Sequence, residues 1–186
     1  MTDITAAQVP GYVAGKWTID PVHSEVGFAV RHMMVSKVRG RFAELSGEIV
    51  TAESPADSTV NAEIKTASFT TDNEQRDNHI RSTDFLEVET WPEMTYTSTG
   101  IREQDGQFVL DGKLTLKGVT RDVPLTLEIN GFGPDPFGGT RAGFTATGEI
   151  NRRDFNVNFN APMQNGGAVV ADKVQLHLEI EAVLVP

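Results

Sequence analysis

Alternation of apolar and polar residues with period two runs through most of this chain, and it limits the fold more than any other feature. Val26, Phe28 and Val30 share one parity, while Glu25, Gly27, Ala29 and Arg31 take the other. Successive side chains of a strand point to opposite faces, so this pattern marks a sheet with one buried and one wet side. Val60, Ala62 and Ile64 alternate with Asn61, Glu63 and Lys65; Met94, Tyr96 and Ser98 alternate with Thr95, Thr97 and Thr99. Further apolar faces are Phe108–Leu110–Gly112–Leu114–Leu116, Val123–Leu125–Leu127–Ile129 and Ala142–Phe144–Ala146–Gly148–Ile150. The cleanest comes last, with Val174, Leu176, Leu178, Ile180, Ala182 and Leu184 opposing Lys173, Gln175, His177, Glu179 and Glu181. About eight such segments predict an all-β chain, a closed antiparallel barrel of the up-and-down kind.

Turn residues separate the segments. Asp105-Gly106, Asn130-Gly131 and Asn165-Gly166 are read as turns. Asp111-Gly112 carries the same signal, but the alternation passes through it, so a long strand with an inward glycine is expected. Gly131-Phe132-Gly133 and Gly138-Gly139, around Pro134 and Pro136, read as an irregular loop. The rhythm breaks once, near residues 72–86. Thr71-Asp72-Asn73-Glu74 has the form of a capping box, which predicts a short helix through Gln75–Arg81. Its one strongly apolar residue is Ile80, so its packing surface must also accept Arg76 and His79. Phe85, Leu86 and Trp91 follow as candidate anchors of this insertion.

A length of 186 residues suits one domain, expected over 17–186 behind a loose tail at 1–16. The absence of cysteine excludes disulfides, thiolate metal sites and cysteine nucleophiles. With 26 acidic against 16 basic residues the net charge is −10, which argues against a nucleic-acid partner. Arg39–Arg41 and Arg152–Arg153 read as solvated pairs. Met1–Gly15 contains Asp3, no Lys or Arg and no apolar run of export-signal type, giving the expectation of a cytoplasmic protein. No segment approaches the roughly 20 apolar residues of a membrane-spanning helix.

The four histidines, His23, His32, His79 and His177, form no short metal-ligand spacing, and no metal is expected. His177 falls on a wet face. His32 ends an inward face and His79 lies on the sparse helix; each is either a hydrogen-bonded structural ring or a ligand contact. No Gly-x-Ser-x-Gly elbow surrounds Ser24 and no glycine-rich phosphate loop precedes a helix, so no catalytic residue is assigned. The inward positions mix Phe28, Met34, Met94, Phe108, Phe144 and Leu178 with the small residues Ala62, Gly112, Ala146 and Gly148. Small residues inside a barrel either fit its taper or open a cavity. A cavity lined this way would take a hydrocarbon chain, at about 0.8 kcal/mol per buried methylene.

Several stretches together resemble the YceI-like, or polyisoprenoid-binding, family: Trp17-Thr18-Ile19-Asp20-Pro21-Val22-His23-Ser24, Val26–His32, Val38–Phe42, Arg76–Leu86, Trp91–Met94, Gly112–Thr120 and Asn151–Phe155. The resemblance runs from about Trp17 to the C-terminus. It implies a lipocalin-like antiparallel barrel that holds a long isoprenoid or similar amphiphile, with no cofactor beyond that lipid and no firmly implied activity. The family's histidine positions fall on His23, His32 and His79, and its Arg-Asp pair on Arg76-Asp77. Asn156 departs from a usual glycine. A homodimer is compatible with the family, though no motif here demonstrates one. The ligand-contacting residues expected on parity and resemblance are Phe28, Val30, His32, Met34, Phe42, Ile64, Arg76, His79, Ile80, Phe85, Met94, Tyr96, Leu114, Phe144 and Leu178. Two other functions fit the same sequence: an enzyme acting on the lipid's head group with His32 or His79 as acid/base, and an interaction module whose barrel is filled.

Overall fold

The last strand, β12 (Val170–Leu184), organises the barrel. In the computed structural model, which describes residues 4–164 and 166–186, one edge of β12 pairs with β11 (Thr140–Asn151) from Arg141↔Val183 to Asn151↔Lys173. Its other edge serves two strands in succession. Near its start it pairs with β2 (Glu25–His32), and near its end with β1 (Gly15–Ile19). Residues 20–24 bridge these two, held by Asp20 N to Glu181 O at 2.8 Å and by Ser24 Oγ, which donates to Glu181 O and accepts from Glu181 N.

From β1 the ring continues through β4 (Leu45–Thr51), β5 (Thr59–Lys65), β7 (Glu93–Gln104), β8 (Gln107–Leu116) and β10 (Leu125–Pro134) to β11 and β12, all antiparallel. Eight strands thus close on themselves, as the alternation predicts. Beyond the ring, β3 (Ser36–Phe42) and the two-residue β6 (Phe69–Thr70) extend the sheet from β2, and β9 (Val119–Asp122) forms a hairpin with β8.

Asp111-Gly112 lies inside β8, and Asp105-Gly106 forms the β7–β8 turn with both residues at positive φ. Asn130-Gly131 is not a turn. A β-bulge between Ile129 and Gly131 absorbs the extra residue, and β10 runs on through Phe132 to Pro134, replacing the expected irregular loop. The actual turn is Asp135–Gly139, where the Asp135 carboxylate accepts from the amides of Phe137 and Gly139. Asn165, half of the third expected turn, lies outside the described residues.

The helix α1 (Glu74–Arg81) starts two residues later than the capping box implies. Asn73 is the cap, its Oδ1 accepting from Arg76 N at 2.9 Å, because the Thr71 hydroxyl is engaged with Asp77. Phe85 and Leu86 are buried as expected of anchors, whereas Trp91 is 39% exposed and lies over Gly118 instead. The expected loose tail is also corrected from residue 4 onward. Ile4 and Val9 are buried, the Tyr12 hydroxyl donates to Ala52 O at 2.6 Å, and its ring packs edge-on against Phe132. This segment closes one end of the barrel; α1 and the segment around Phe159 stand at the other.

An apolar tunnel with a cationic mouth

The barrel interior holds a cavity of about 420 Å³, within the range of small-molecule and lipid sites. Every ring strand sends inward residues to it, β1 through Ile19, and its walls are almost wholly apolar. The two glycines counted among the small inward residues do not make the space. A Cβ on Gly112 would stand 2.7 Å from Tyr96 Cε1, and one on Gly148 would stand 2.6 Å from Leu125 Cδ2. Those glycines admit neighbouring side chains, while Ala62 and Ala146 face the open cavity. The interior is therefore not filled.

Fourteen of the expected contact residues line this cavity: Phe28, Val30, His32, Phe42, Ile64, Arg76, His79, Ile80, Phe85, Met94, Tyr96, Leu114, Phe144 and Leu178. Met34 does not. It is 63% exposed in the β2–β3 turn, where Met33 and Met34 both adopt positive φ. The strand parity that assigns Met34 inward ends at His32. Phe108, also assigned inward, sits half-buried beside Leu127 outside the tunnel.

At the closed end the lining comes from Ile4, Tyr12, Pro55 and Ser58, with Phe132 beside them. At the other end the polar groups gather: Arg31, His32, Arg76, His79 and Arg152. Arg76 donates from Nε to Thr71 Oγ1 at 2.7 Å and from Nη2 to Thr71 O at 3.2 Å. Among the described residues no acid pairs with it, so its guanidinium stands ready for an anion. His79 Nε2 lies 2.8 Å from Asp84 Oδ2, with its ring edge-on to Phe85 and Phe159. This end carries cations and imidazoles over an apolar bore.

Asp77 holds the helix in place from beneath. Burial pushes its carboxyl pKa up, but donations from Thr71 and Thr70 outweigh this and leave it below the usual carboxylate range. The Arg76-Asp77 pair of the resemblance thus divides its work: Arg76 faces the mouth and Asp77 faces the core.

Arg152 is the principal residue that sequence reasoning placed wrongly. It is 4% exposed, not solvated, and donates to Val157 O (2.7 Å), Phe159 O (2.8 Å), Ala171 O (2.9 Å) and Val170 O (3.3 Å). Burial depresses its pKa, with Asp172 opposing this from 3.6 Å. It ties the 157–159 segment to β12 and so shapes the mouth. The parity of Ile150 continued two residues would have placed Arg152 inward. Asn156, the departure from glycine, sits in left-handed backbone at φ 59°, a conformation asparagine tolerates.

Outside the barrel, Asp20, His23 and Glu181 come close together. Arg141 Nη1 already donates to Asp20 Oδ2 at 2.8 Å and to Glu181 Oε1 at 2.6 Å, so a guanidinium occupies the position a cation would need. His23 bonds Asp20 and does not reach the tunnel; His177 pairs with Glu179 on the wet face as its parity predicts.

A closed antiparallel barrel around an apolar cavity, open beside a helix and a cationic rim, defines the lipocalin-like class of binding barrels. Residues 17–182 match the YceI-like domain model, and the chain belongs to that family. It is 36% identical over 174 residues to protein YceI of Salmonella newport, covering 92% of this chain and 88% of that one. Among solved structures it is similar to Burkholderia cenocepacia BcnA, with a TM-score of 0.75 and 23% identity over 88% of this chain and 98% of that one. A second neighbour is the polyisoprenoid binding domain from Saccharophagus degradans, with a TM-score of 0.70 and 16% identity over 93% and 100% of the two chains.

Proposed function

We propose that this protein binds a long-chain isoprenoid lipid, a polyprenyl diphosphate or a quinone, and stores or carries it. The observation that carries this reading is the tunnel itself: about 420 Å³ of apolar bore with Arg76, His32 and His79 at one end. Family membership and the polyisoprenoid-binding name of the Saccharophagus neighbour support it. Each methylene withdrawn from water contributes about 0.8 kcal/mol, so ten carbons offset a large part of the association entropy without any polar contact. A guanidinium at the rim suits a diphosphate through charge-assisted hydrogen bonds, and neutral donors suffice for a quinone. Extraction of the purified protein with organic solvent, followed by mass spectrometry, should recover such a lipid, natively or after feeding. An extract empty in both cases overturns the reading.

One observation favours a second reading. The His79–Asp84 pair has the geometry of an oriented general base. An enzyme would turn over a polyprenyl or quinone substrate and lose turnover in His79→Gln while retaining binding; unchanged substrate with stoichiometric protein overturns that alternative.

A further inference from the structure

The β2–β3 hairpin is charged unlike the rest of the chain. Between Glu25 and Glu44 there is no acidic residue, yet Arg31, Lys37, Arg39 and Arg41 all fall there, in a protein of net charge −10. Pairing sets Arg31 opposite Lys37 and puts Arg39 opposite Ala29, so the cations share the outer face. The inner parity, Phe28, Val30 and Val38, lines the tunnel. Arg31, Lys37 and Arg39 are exposed, and among the described residues only Arg41 of the four has an acid within reach, Asp72 at 3.4 Å.

The tip of the hairpin is apolar. Met33, Met34 and Val35 are 40%, 63% and 80% exposed in succession. Both methionines, the central residues of the turn that Val35 N closes on His32 O, occupy left-handed backbone at φ 50° and 59°, a conformation that ordinarily favours Asn and Gly. Protection of a free edge accounts for part of the pattern, since β3 pairs with β6 only at Arg41 and Phe42. It explains Lys37 and Arg39. It does not explain Arg31 on the inner strand, and three exposed apolar side chains would undo it.

The tip also stands at the mouth. Met33 N donates to Val169 O at 2.8 Å, and both Val169 and the adjacent His32 line the tunnel. An apolar prong flanked by basic residues is the composition of an interfacial membrane anchor. The acidic remainder of the surface would be repelled by an anionic bilayer, which leaves the hairpin as the face that can lead.

We infer that the β2–β3 hairpin docks the barrel on an anionic lipid bilayer, with the tip in the headgroup region and the tunnel mouth beside it. The use of this docking, drawing a chain from the membrane, rests on the proposed lipid-binding function; the docking itself is measured without a tunnel ligand. The full chain is floated with vesicles of phosphatidylcholine mixed with phosphatidylglycerol, and with vesicles of phosphatidylcholine alone. Binding to the anionic vesicles, weak binding to the neutral ones and release by high salt are expected. Arg31→Glu with Lys37→Glu should lower binding about tenfold or more, and Met34→Ser with Val35→Ser should lower it severalfold. Arg121→Glu, an exposed cation of β9, should change it little. Circular dichroism melts show that each variant is folded.

Failure of the wild type to float with anionic vesicles overturns the inference, as does equal flotation of the charge-reversed hairpin. Self-association through this face with no vesicle binding overturns it too. Solvent extracts of the same proteins separate the two ideas. Lipid in the extract without flotation overturns docking alone; flotation with an extract empty even after feeding overturns the carrier reading and leaves docking in place.

Discussion

Tyr96 of β7 lies across Gly112 of β8, close enough that a Cβ at position 112 would stand 2.7 Å from the ring edge. The Tyr96 hydroxyl reaches past the glycine to donate to Val123 O at 2.8 Å. This contact joins β7 to the link between β9 and β10, across β8, and burial pushes the hydroxyl pKa up, keeping it a neutral donor. Gly112 has ordinary strand backbone, so the demand there is for space alone.

Gly112→Ala should therefore destabilise the barrel by about 1–3 kcal/mol through overpacking. For a chain of this size that lowers Tm by about 2–12 °C. In a double-mutant cycle with Tyr96→Leu the two losses should sum to about 1 kcal/mol more than the double variant shows, because the smaller side chain vacates the space. Thermal melts of the four proteins measure this; strict additivity would contradict the contact.

The same pair shows how far the sequence could be read. Parity identified Gly112 as inward and Tyr96 as part of the same face, since side-chain direction in a strand depends only on counting residues. Counting fails where a bulge adds one. Between Ser98 and Gly100, and again between Ile129 and Gly131, the register shifts, so Ile101 and Phe132 turn inward and Asn130-Gly131 is no turn. Counting also fails at hairpin tips, where the parity that points Met34 inward no longer applies. Arg152 and the buried Ile4 escaped for another reason. A charged residue inside depends on carbonyls brought from distant segments, and a plug depends on the hole it fits; neither is a local property.

Arg152 satisfies four backbone carbonyls from within the protein. Arg152→Met leaves Val157, Phe159 and Ala171 short of a donor, while Val170 O keeps Asn160 Nδ2, and should cost about 3 kcal/mol, or about 6–12 °C in Tm. Arg152→Lys should be intermediate, since an ammonium offers three donors from one point. Arg153→Met should stay within about 0.5 kcal/mol, because Arg153 is half exposed and among the described residues pairs with Asp172 alone. Equal effects at positions 152 and 153 in calorimetry would refute the distinction.

Asp20 confers an acid dependence on stability. Donations from His23 and Arg141 hold its carboxyl well below the usual range. A carboxyl whose folded pKa is depressed stabilises the fold fully above its unfolded value of about 3.9, and this is lost as pH falls toward the folded value. Asp20→Asn should lower Tm at pH 7 and flatten the decline of Tm between about pH 5 and pH 2. Parallel wild-type and variant curves would show that Asp20 contributes nothing to that decline.

Ala146 faces the open bore from β11 without touching the mouth, so a larger side chain there tests the cavity apart from the polar rim. The free space accommodates Ala146→Phe with little strain, and filling a cavity costs less than overpacking a full core. The variant should melt within a few degrees of the wild type, yet retain a several-fold smaller amount of lipid in solvent extracts. A collapse of Tm with lipid content unchanged would mean that the bore is closed in solution.

Under the proposed lipid-binding function, Arg76 is the side chain that separates one head group from another. Its guanidinium faces the mouth, anchored through Thr71 and opposed by no acid among the described residues. A diphosphate would draw on its charge, whereas a quinone carbonyl would need one neutral donor. Charge-assisted hydrogen bonds contribute about 1.5–3 kcal/mol, so Arg76→Gln should weaken a polyprenyl diphosphate by about 10- to 150-fold. The same substitution should weaken a quinone of equal chain length by only a few-fold, because the apolar bore supplies most of its affinity. Binding curves for the two ligands on both proteins check this. Equal losses for the two would assign Arg76 to the shape of the mouth, and a loss larger for the quinone would place the head group elsewhere on the rim.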